Sequence, residues 1–476
     1  MEKLNKFFKL SERKTTVRTE VIAGITTFMA MAYILMVNPG MFAELPDASF
    51  GAVYIATALS AVIGTVLIGL LANLPLAQAS GMGLNAFFVY TVCFGLGFTY
   101  ANALVFVLID GLVFIALTVT GLRRIIFEAI PAAVKKAIPA GIGLFIAFIG
   151  MQNIDLVVDD GATLVNMHSF NVLSASFDWA SVMPILVSLI CVFAIAIMFK
   201  KGVKGAILWG ILGGAVLYYA AAFATVDGAF DAFVANWSFN PFTAFKEFGT
   251  DAVGQVFING FDFSHYLSDP NHSVGGLILA LITSALAFCI VDMFDTLGTL
   301  YGACRGGDLL VENAETGEQD IPNLDQAMLA DAIATTAGAI CGTSTVTTYV
   351  ESSAGVGAGG RTGLSSMVTA ALFFVAMFLS PIAALIPTCA YSAALIYVGI
   401  LMIGCVKDID WADPAIALPA FLTMAMMPFT YNISYGIAFG IISYVILKAC
   451  TGKIKEIRLS SWIIAALFVA MFVLTH

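Results

Sequence analysis

Charge is what this chain has least of. Asp, Glu, Lys and Arg make up 11% of its 476 residues, against 60% hydrophobic residues, and mean hydropathy is +0.96. Soluble domains carry about 25% charged residues, so this composition excludes a water-soluble enzyme or binding module and implies a polytopic membrane protein. Clustered basic residues of nucleic-acid-binding size are missing, and the net charge is −10. The acids lie mainly in a few loops, and 13 of the 31 fall in residues 225 to 270 and 308 to 331. No nucleic-acid partner is expected. The eight cysteines and four histidines form no CxxC or Cys/His ligand spacing, which argues against a zinc enzyme. The cysteines read as small apolar packing residues, and neither a metal nor a cofactor is expected. Pro/Ser-rich linkers and low-complexity tracts are also missing, so the chain reads as one membrane domain. Its first twenty residues, MEKLNKFFKLSERKTTVRTE, are polar and basic for too long to be a signal peptide; they are expected to stay attached, in the cytoplasm.

What is present is a series of apolar runs. A bilayer is crossed by a helix of about 20 residues, and candidates centre near residues 28, 62, 88, 110, 143, 190 and 214, then 288, 334, 353, 374, 398, 420 and 441. Each half supplies seven. Bases concentrate after even-numbered spans: Arg123, Arg124, Lys135 and Lys136; Lys200, Lys201 and Lys204; Arg361; Lys407; Lys448, Lys453, Lys455 and Arg458. The positive-inside rule therefore returns the chain to the side of its basic N-terminus after every second span. With an odd number of spans per half, the second half enters the membrane from the opposite face, as an inverted repeat requires. The apolar run 460–476 is too short for a clear span and reads as a helix lying at, or dipping into, the membrane.

Two segments are glycine-broken: PLAQASGMGLNAFF at 75–88 and TYVESSAGVGAGGRTG at 348–363. Neither sustains one continuous helix, and broken helices frame transporter sites. Glu351 lies in the second, and an acid at membrane depth is costly enough to signal function. Its neighbouring glycines admit a close backbone or a flat ligand, and a carboxylate there accepts two N–H groups side by side. The alternative role is a cap on a half-helix. In CIVDMFDTLGTLYG, Asp292, Asp295, Thr296 and Thr299 share one helix face. Two carboxylates three residues apart cannot both ionise cheaply in a low dielectric, which suits a proton carrier. Asn85 offers an amide edge or a helix-start cap. Thr27 is polar within span one, where hydroxyls commonly back-bond to their own helix. Asp110 and Asp331 read as structural hydrogen-bonding anchors. The glycine-rich run before Arg361 lacks GxxxxGK[ST] and is not a phosphate loop.

TEVIAGITTFMAMAYILMVNP (19–39), GMGLNAFF (81–88), GIGLFIAFIGMQN (141–153), VDMFDTLGTLYG (291–302), GTSTVTTYVESSAGVGAGGRTGLSS (342–366) and MPFTYNISYGIAFGIISY (427–444) together resemble the nucleobase:cation symporter-2 group, most closely its adenine/guanine/hypoxanthine permease branch. The resemblance implies an all-α membrane protein of about fourteen spans in two inverted seven-span repeats, with short strands in spans three and ten. It divides the chain into a cytoplasmic tail (1–18), core spans one to four (19–120), gate spans five to seven (121–224), an external loop (225–274), core spans eight to eleven (275–386), gate spans twelve to fourteen (387–450) and a C-terminal basic stretch with a short apolar helix (451–476). The site it implies lies between the strands. Glu351 and Asp292 would bind substrate, with Gly83, Asn85, Thr27 and Val350 around it and Phe87 or Phe88 as a stacking wall. Asp292, Glu351 or Asp295 would carry the coupling proton, and Asp295 is the alternative to Asp292. Thr296 stands where related uracil carriers have histidine, which points away from that branch. The implied activity is proton-coupled uptake of purine nucleobases across the cell membrane; a carrier for uracil or xanthine, or a channel, is the alternative. A homodimer is compatible with this reading.

Overall fold

The computed structural model describes residues 2–120, 130–174, 177–236, 239–270, 272–312 and 319–475; Arg123, Arg124 and residues 313–318 of the acidic loop lie outside them. Ten described helices are long and apolar enough to cross a membrane. They answer ten of the fourteen expected centres, and the remaining four fall in shorter or less apolar pieces: Met82–Gly95, Leu324–Cys341, Ser352–Gly357 and Pro414–Phe429. These pieces are numbered below as segments one to fourteen. Local chemistry sets several starts, because an open helix N-terminus leaves N–H groups unpaired. Thr16, Ser49, Asp178, Ser273, Asp413 and Asn432 each accept a backbone N–H at the head of segments one, two, six, eight, thirteen and fourteen.

Helix packing falls into two groups. Segment two (Phe50–Ala72) lies on segments nine (Leu324–Cys341) and eleven (Gly363–Ala383), segment one (Val17–Phe42) on eleven and on Ser352–Gly357, and segment four (Tyr100–Thr120) on eight (Val274–Gly306) and nine. Separately, segment five (Ala132–Gln152) lies on twelve (Thr388–Asp408), thirteen (Pro414–Phe429) and fourteen (Ile433–Cys450), while six (Trp179–Lys200) and seven (Ala206–Thr225) pack on each other and on twelve. Gly143 and Gly399 let segments five and twelve touch backbone to backbone, since a Cβ on either would strike the other's carbonyl oxygen.

The two halves meet at a strand pair. Gln78–Ser80 and Val346–Thr348 run antiparallel, with Gln78 opposite Thr348 and Ser80 opposite Val346, and Tyr349 N–H to Ala77 O and Gly81 N–H to Thr345 O extend the ladder at both ends. A two-stranded sheet leaves its outer edges unpaired, which a membrane interior does not tolerate. One threonine from each half answers this. Thr65 on segment two accepts the Gln78 N–H at 3.0 Å and donates to the Gln78 carbonyl at 3.1 Å. Thr335 on segment nine does the same for Val346, at 3.3 and 3.0 Å. Segments two and nine therefore serve the first residues of equivalent strands in the same way, seven segments apart, which is the signature of an internal repeat.

Three regions lie outside the fourteen segments. Residues 225–274 are largely short helices, including Ala229–Asn236, Pro241–Glu247 and Gln255–Ile258, and are tied to segment four where Asn102 donates to the carbonyls of Gly260 and Asp262. Val157–Asp160 and Leu164–Met167 form a hairpin after segment five. The C-terminal run is a helix, Leu459–Thr475, packed on segments eight and fourteen; Phe472 meets Tyr435 near the start of segment fourteen, so the two helices lie antiparallel.

Candidate functional site

Segment ten is the irregular element that forms the site. Its strand ends at Thr348, Glu351 follows, and the helix Ser352–Gly357 is so short that Arg361 caps its end, donating from one guanidinium nitrogen to the carbonyls of Val356 and Gly360 at 2.7 and 2.8 Å. Glu20, fully buried on segment one, then receives the N–H groups of Arg361, Thr362 and Ser365 and the Ser365 hydroxyl. It caps the head of segment eleven. These contacts fix the chain on both sides of the break.

Glu351 stands at the head of its short helix, but its side chain does not cap it. One carboxyl oxygen accepts the Tyr33 hydroxyl at 2.6 Å. Tyr33 occupies an interruption in segment one, between the helices Val17–Met31 and Ile34–Phe42. Glu351 also faces a cavity of about 910 Å³. Asp295, Gly298 and Thr299 of segment eight, Val350 and Ala354 of segment ten, and Lys204 before segment seven help to line it. The wall draws on both packing groups. Its volume lies within the range of small-molecule sites. Asp295 is steadied by the Thr347 hydroxyl at 3.3 Å. Two acids from different segments thus face one cavity beside the strand pair.

The acids of segment eight do not act from one face. Spaced at 100° per residue, Gly298, Asp295, Thr299, Asp292 and Thr296 occupy successive positions around one broad arc. The cavity takes Gly298, Asp295 and Thr299 on one flank; Thr296 on the other donates to Asp331 at 2.9 Å, and Asp292 is fully buried and absent from the cavity wall. The segment-eight acid that shares the cavity wall with Glu351 is thus Asp295, the alternative to Asp292.

The remaining sequence candidates divide similarly. Val350 lines the cavity. Thr27 packs against Gly355, where a Cβ would strike its hydroxyl. Gly83 sits against Ile142 of segment five at a distance that excludes a side chain. Asn85 turns inward and donates to the Ser80 carbonyl at 3.3 Å, steadying the strand's end. Phe87 is fully buried and edge-on to Phe288, with ring centroids 4.7 Å apart, while Phe88 packs on Phe42 and Tyr100. Neither phenylalanine forms a cavity wall, because the short helix Met82–Gly95 carries both into helix packing. Asp110 and Asp331 do accept hydrogen bonds, from Thr345 at 3.2 Å and from Gln78 at 2.9 Å.

Sequence reasoning missed Tyr33, Thr65, Thr335 and Glu20. Only Glu20 carried a usable signal, as an acid at the head of an apolar run.

A sequence model of the permease family matches residues 18–439. The chain belongs to that family. This permease is 37% identical to the guanine/hypoxanthine permease PbuO of Bacillus subtilis, over 98% of its own length and 100% of that protein's. It is 34% identical to the adenine permease AdeQ of Escherichia coli, over 99% and 96% of the two chains. Its fold is that of the transmembrane domain of a cyanobacterial bicarbonate transporter, BicA, with a TM-score of 0.58 at 15% identity over 88% of this chain and 97% of that one. SLC26A9 gives a TM-score of 0.59 at 13% identity, over 95% of this chain and 70% of that one. The inverted-repeat architecture and the purine-permease branch expected from the motifs agree with these relationships.

Proposed function

We propose that this permease imports purine nucleobases, among them hypoxanthine, guanine or adenine, across the cell membrane together with protons. Its N-terminus would face the cytoplasm. The observation that carries the reading is the presence of two acids, Glu351 and Asp295, on one cavity at the junction of the halves, in a chain whose relatives are named for guanine, hypoxanthine and adenine. A purine offers ring and exocyclic N–H donors along one edge. A carboxylate accepts two such donors side by side, and charge-assisted bonds of this kind are the strong ones. Negative side chains on the wall also disfavour an anionic substrate.

Segments one to four and eight to eleven would form a core that carries the site, and segments five to seven and twelve to fourteen a gate against which it moves. The cavity wall includes Gly202–Ile207 and Met402 on the gate side and Glu351 on the core side, so displacement of one group past the other would expose the acids to each side of the membrane in turn. Lys204, Arg361 and Lys136 stand at the ends of segments where the positive-inside rule expects the cytoplasm.

The test is uptake of labelled hypoxanthine, guanine, adenine and uracil into proteoliposomes under an inward proton gradient, with and without a protonophore. Saturable, protonophore-sensitive accumulation of a purine is expected. Accumulation of uracil alone would move the substrate to another nucleobase, non-saturating flux would indicate a channel, and uptake driven by sodium at equal pH would overturn proton coupling.

A further inference from the structure

A second groove, of different chemistry from the central cavity, lies between segment fourteen and the helix Leu459–Thr475. Its volume is about 570 Å³, and apolar side chains alone line it. Val445 and Ala465 are buried and form its floor, while Ile446, Trp462, Val469 and Val473 stand 40–73% exposed along its sides. Between Trp462 and Val473 the helix rises about 16 Å, at 1.5 Å per residue. That is the depth of one leaflet in a bilayer whose hydrocarbon core is about 30 Å thick. A groove of this length and lining suits a hydrocarbon chain and offers nothing to a polar ligand.

At one end of the groove the chemistry changes. The connection from segment fourteen to the helix carries Lys448, Lys453, Lys455 and Arg458 against a single acid, Glu456, in a chain whose net charge is −10. Glu456 pairs with Lys448, and the turn Ile454–Glu456 lies back against segment fourteen. Lys453 and Lys455 are exposed and form no ion pair with a described acid. Arg458 stands exposed one residue before the helix, and Trp462 lies one turn inside it. The bases therefore meet the end of the groove where an indole marks a membrane interface, and the positive end of the helix favours an anion at the same level.

We propose that this groove binds an anionic phospholipid. One acyl chain lies between segment fourteen and the C-terminal helix, and the headgroup phosphate sits among Lys453, Lys455 and Arg458. The apolar length selects a lipid over a soluble phosphate, and the basic end selects a negative headgroup over a zwitterionic one. The helix packs on segment eight as well as on segment fourteen, so the lipid fastens an element that touches both packing groups. The site is independent of the substrate and of the coupling ion.

The test compares lipids on the full-length chain in mild detergent. Native mass spectrometry measures binding of phosphatidylglycerol and of phosphatidylcholine with identical acyl chains, with inorganic phosphate as a third arm. Each base near a membrane surface contributes about a fivefold factor in affinity for an acidic lipid, so phosphatidylglycerol is expected to bind about tenfold more tightly than phosphatidylcholine, or better. Inorganic phosphate should not displace it. The combined variant Lys453→Gln, Lys455→Gln, Arg458→Gln should lower phosphatidylglycerol binding to the phosphatidylcholine level. Ala466→Phe places a ring in the groove from an exposed position, and should weaken both lipids while keeping the preference between them. Equal binding of the two lipids by the wild type overturns the proposal without reference to any variant. Displacement by inorganic phosphate, an unchanged preference in the combined variant, or undiminished binding by Ala466→Phe overturns it as well. A stable dimer that Ala466→Phe dissociates would assign the groove to a second copy of the chain, and the lipid proposal would fall.

Discussion

Glu351→Gln is the most direct test of the substrate site, because Tyr33 determines how the new amide would point. The Tyr33 hydroxyl donates to Glu351 at 2.6 Å. In the variant, that donor holds the amide oxygen and turns the NH₂ toward the cavity. A purine N–H then meets a donor where it formerly met a charged acceptor. Losing one charge-assisted bond and leaving its partner unpaired costs about 3 kcal/mol, roughly a 150-fold loss of affinity. Tyr33→Phe alone removes a supporting bond and keeps the carboxylate, so a smaller loss is expected. In the double variant Tyr33→Phe, Glu351→Gln, the amide is free to turn its oxygen toward the substrate. Recovery of about 1.5 kcal/mol, roughly tenfold, is expected relative to Glu351→Gln. The assay is concentration-dependent exchange of labelled hypoxanthine and adenine in proteoliposomes, with insertion checked by monodispersity in detergent. Near-normal affinity of Glu351→Gln, or a double variant worse than either single one, would refute the argument.

Three further outcomes are expected. Thr65→Val and Thr335→Val each leave a buried strand N–H and carbonyl without partners, so each should lower stability by about 2–4 kcal/mol; serine at either site should restore most of the loss in a thermal-unfolding assay. Glu20→Ala removes the acceptor for three backbone N–H groups and the Ser365 hydroxyl, and should lower the melting temperature far more than Glu20→Gln, which keeps one acceptor oxygen. On the exposed hairpin, the N–H groups of Thr163 and Ala162, with the Asn166 side chain, hold the Asp160 carboxyl down to about 2. A depressed carboxyl contributes to stability above its unfolded value and loses that contribution as pH falls through the folded one. Hydrogen-exchange protection of residues 157–167 should therefore weaken progressively as pH falls below the ordinary carboxylate range toward about 2, whereas Asp160→Ala should lack that acid step and transport normally.

The broad plan was legible because its signals are long or expensive. Apolar runs of bilayer length, bases at alternate ends and an acid inside a glycine-broken segment are readable one position at a time. The site's finer arrangement was not, because it depends on small angles and on partners far away in sequence. Asp292 and Asp295 belong to one arc of a helix, and only the positions of segments nine and ten decide which flank meets the cavity. Phe87 carries the right ring for stacking but faces Phe288. Thr65 and Thr335 resemble any threonine in a membrane helix until the strands they serve lie beside them. Tyr33 is one of fourteen tyrosines, and its role depends on an interruption in segment one that no glycine or proline marks.

The strand pair also sets a constraint on biosynthesis. Gln78–Ser80 leaves the ribosome roughly 270 residues before Val346–Thr348, an interval of about a quarter of a minute to a minute at ordinary elongation rates. For that time Thr65 can satisfy only Gln78, and the remaining backbone groups of the first strand have no second-half partner. The first half must therefore wait with its strand-bearing segment shielded by water, lipid headgroups or an insertion factor. Neither half alone contains a completed site, and arrest of synthesis before residue 346 leaves an unfinished edge that invites recognition by membrane quality control.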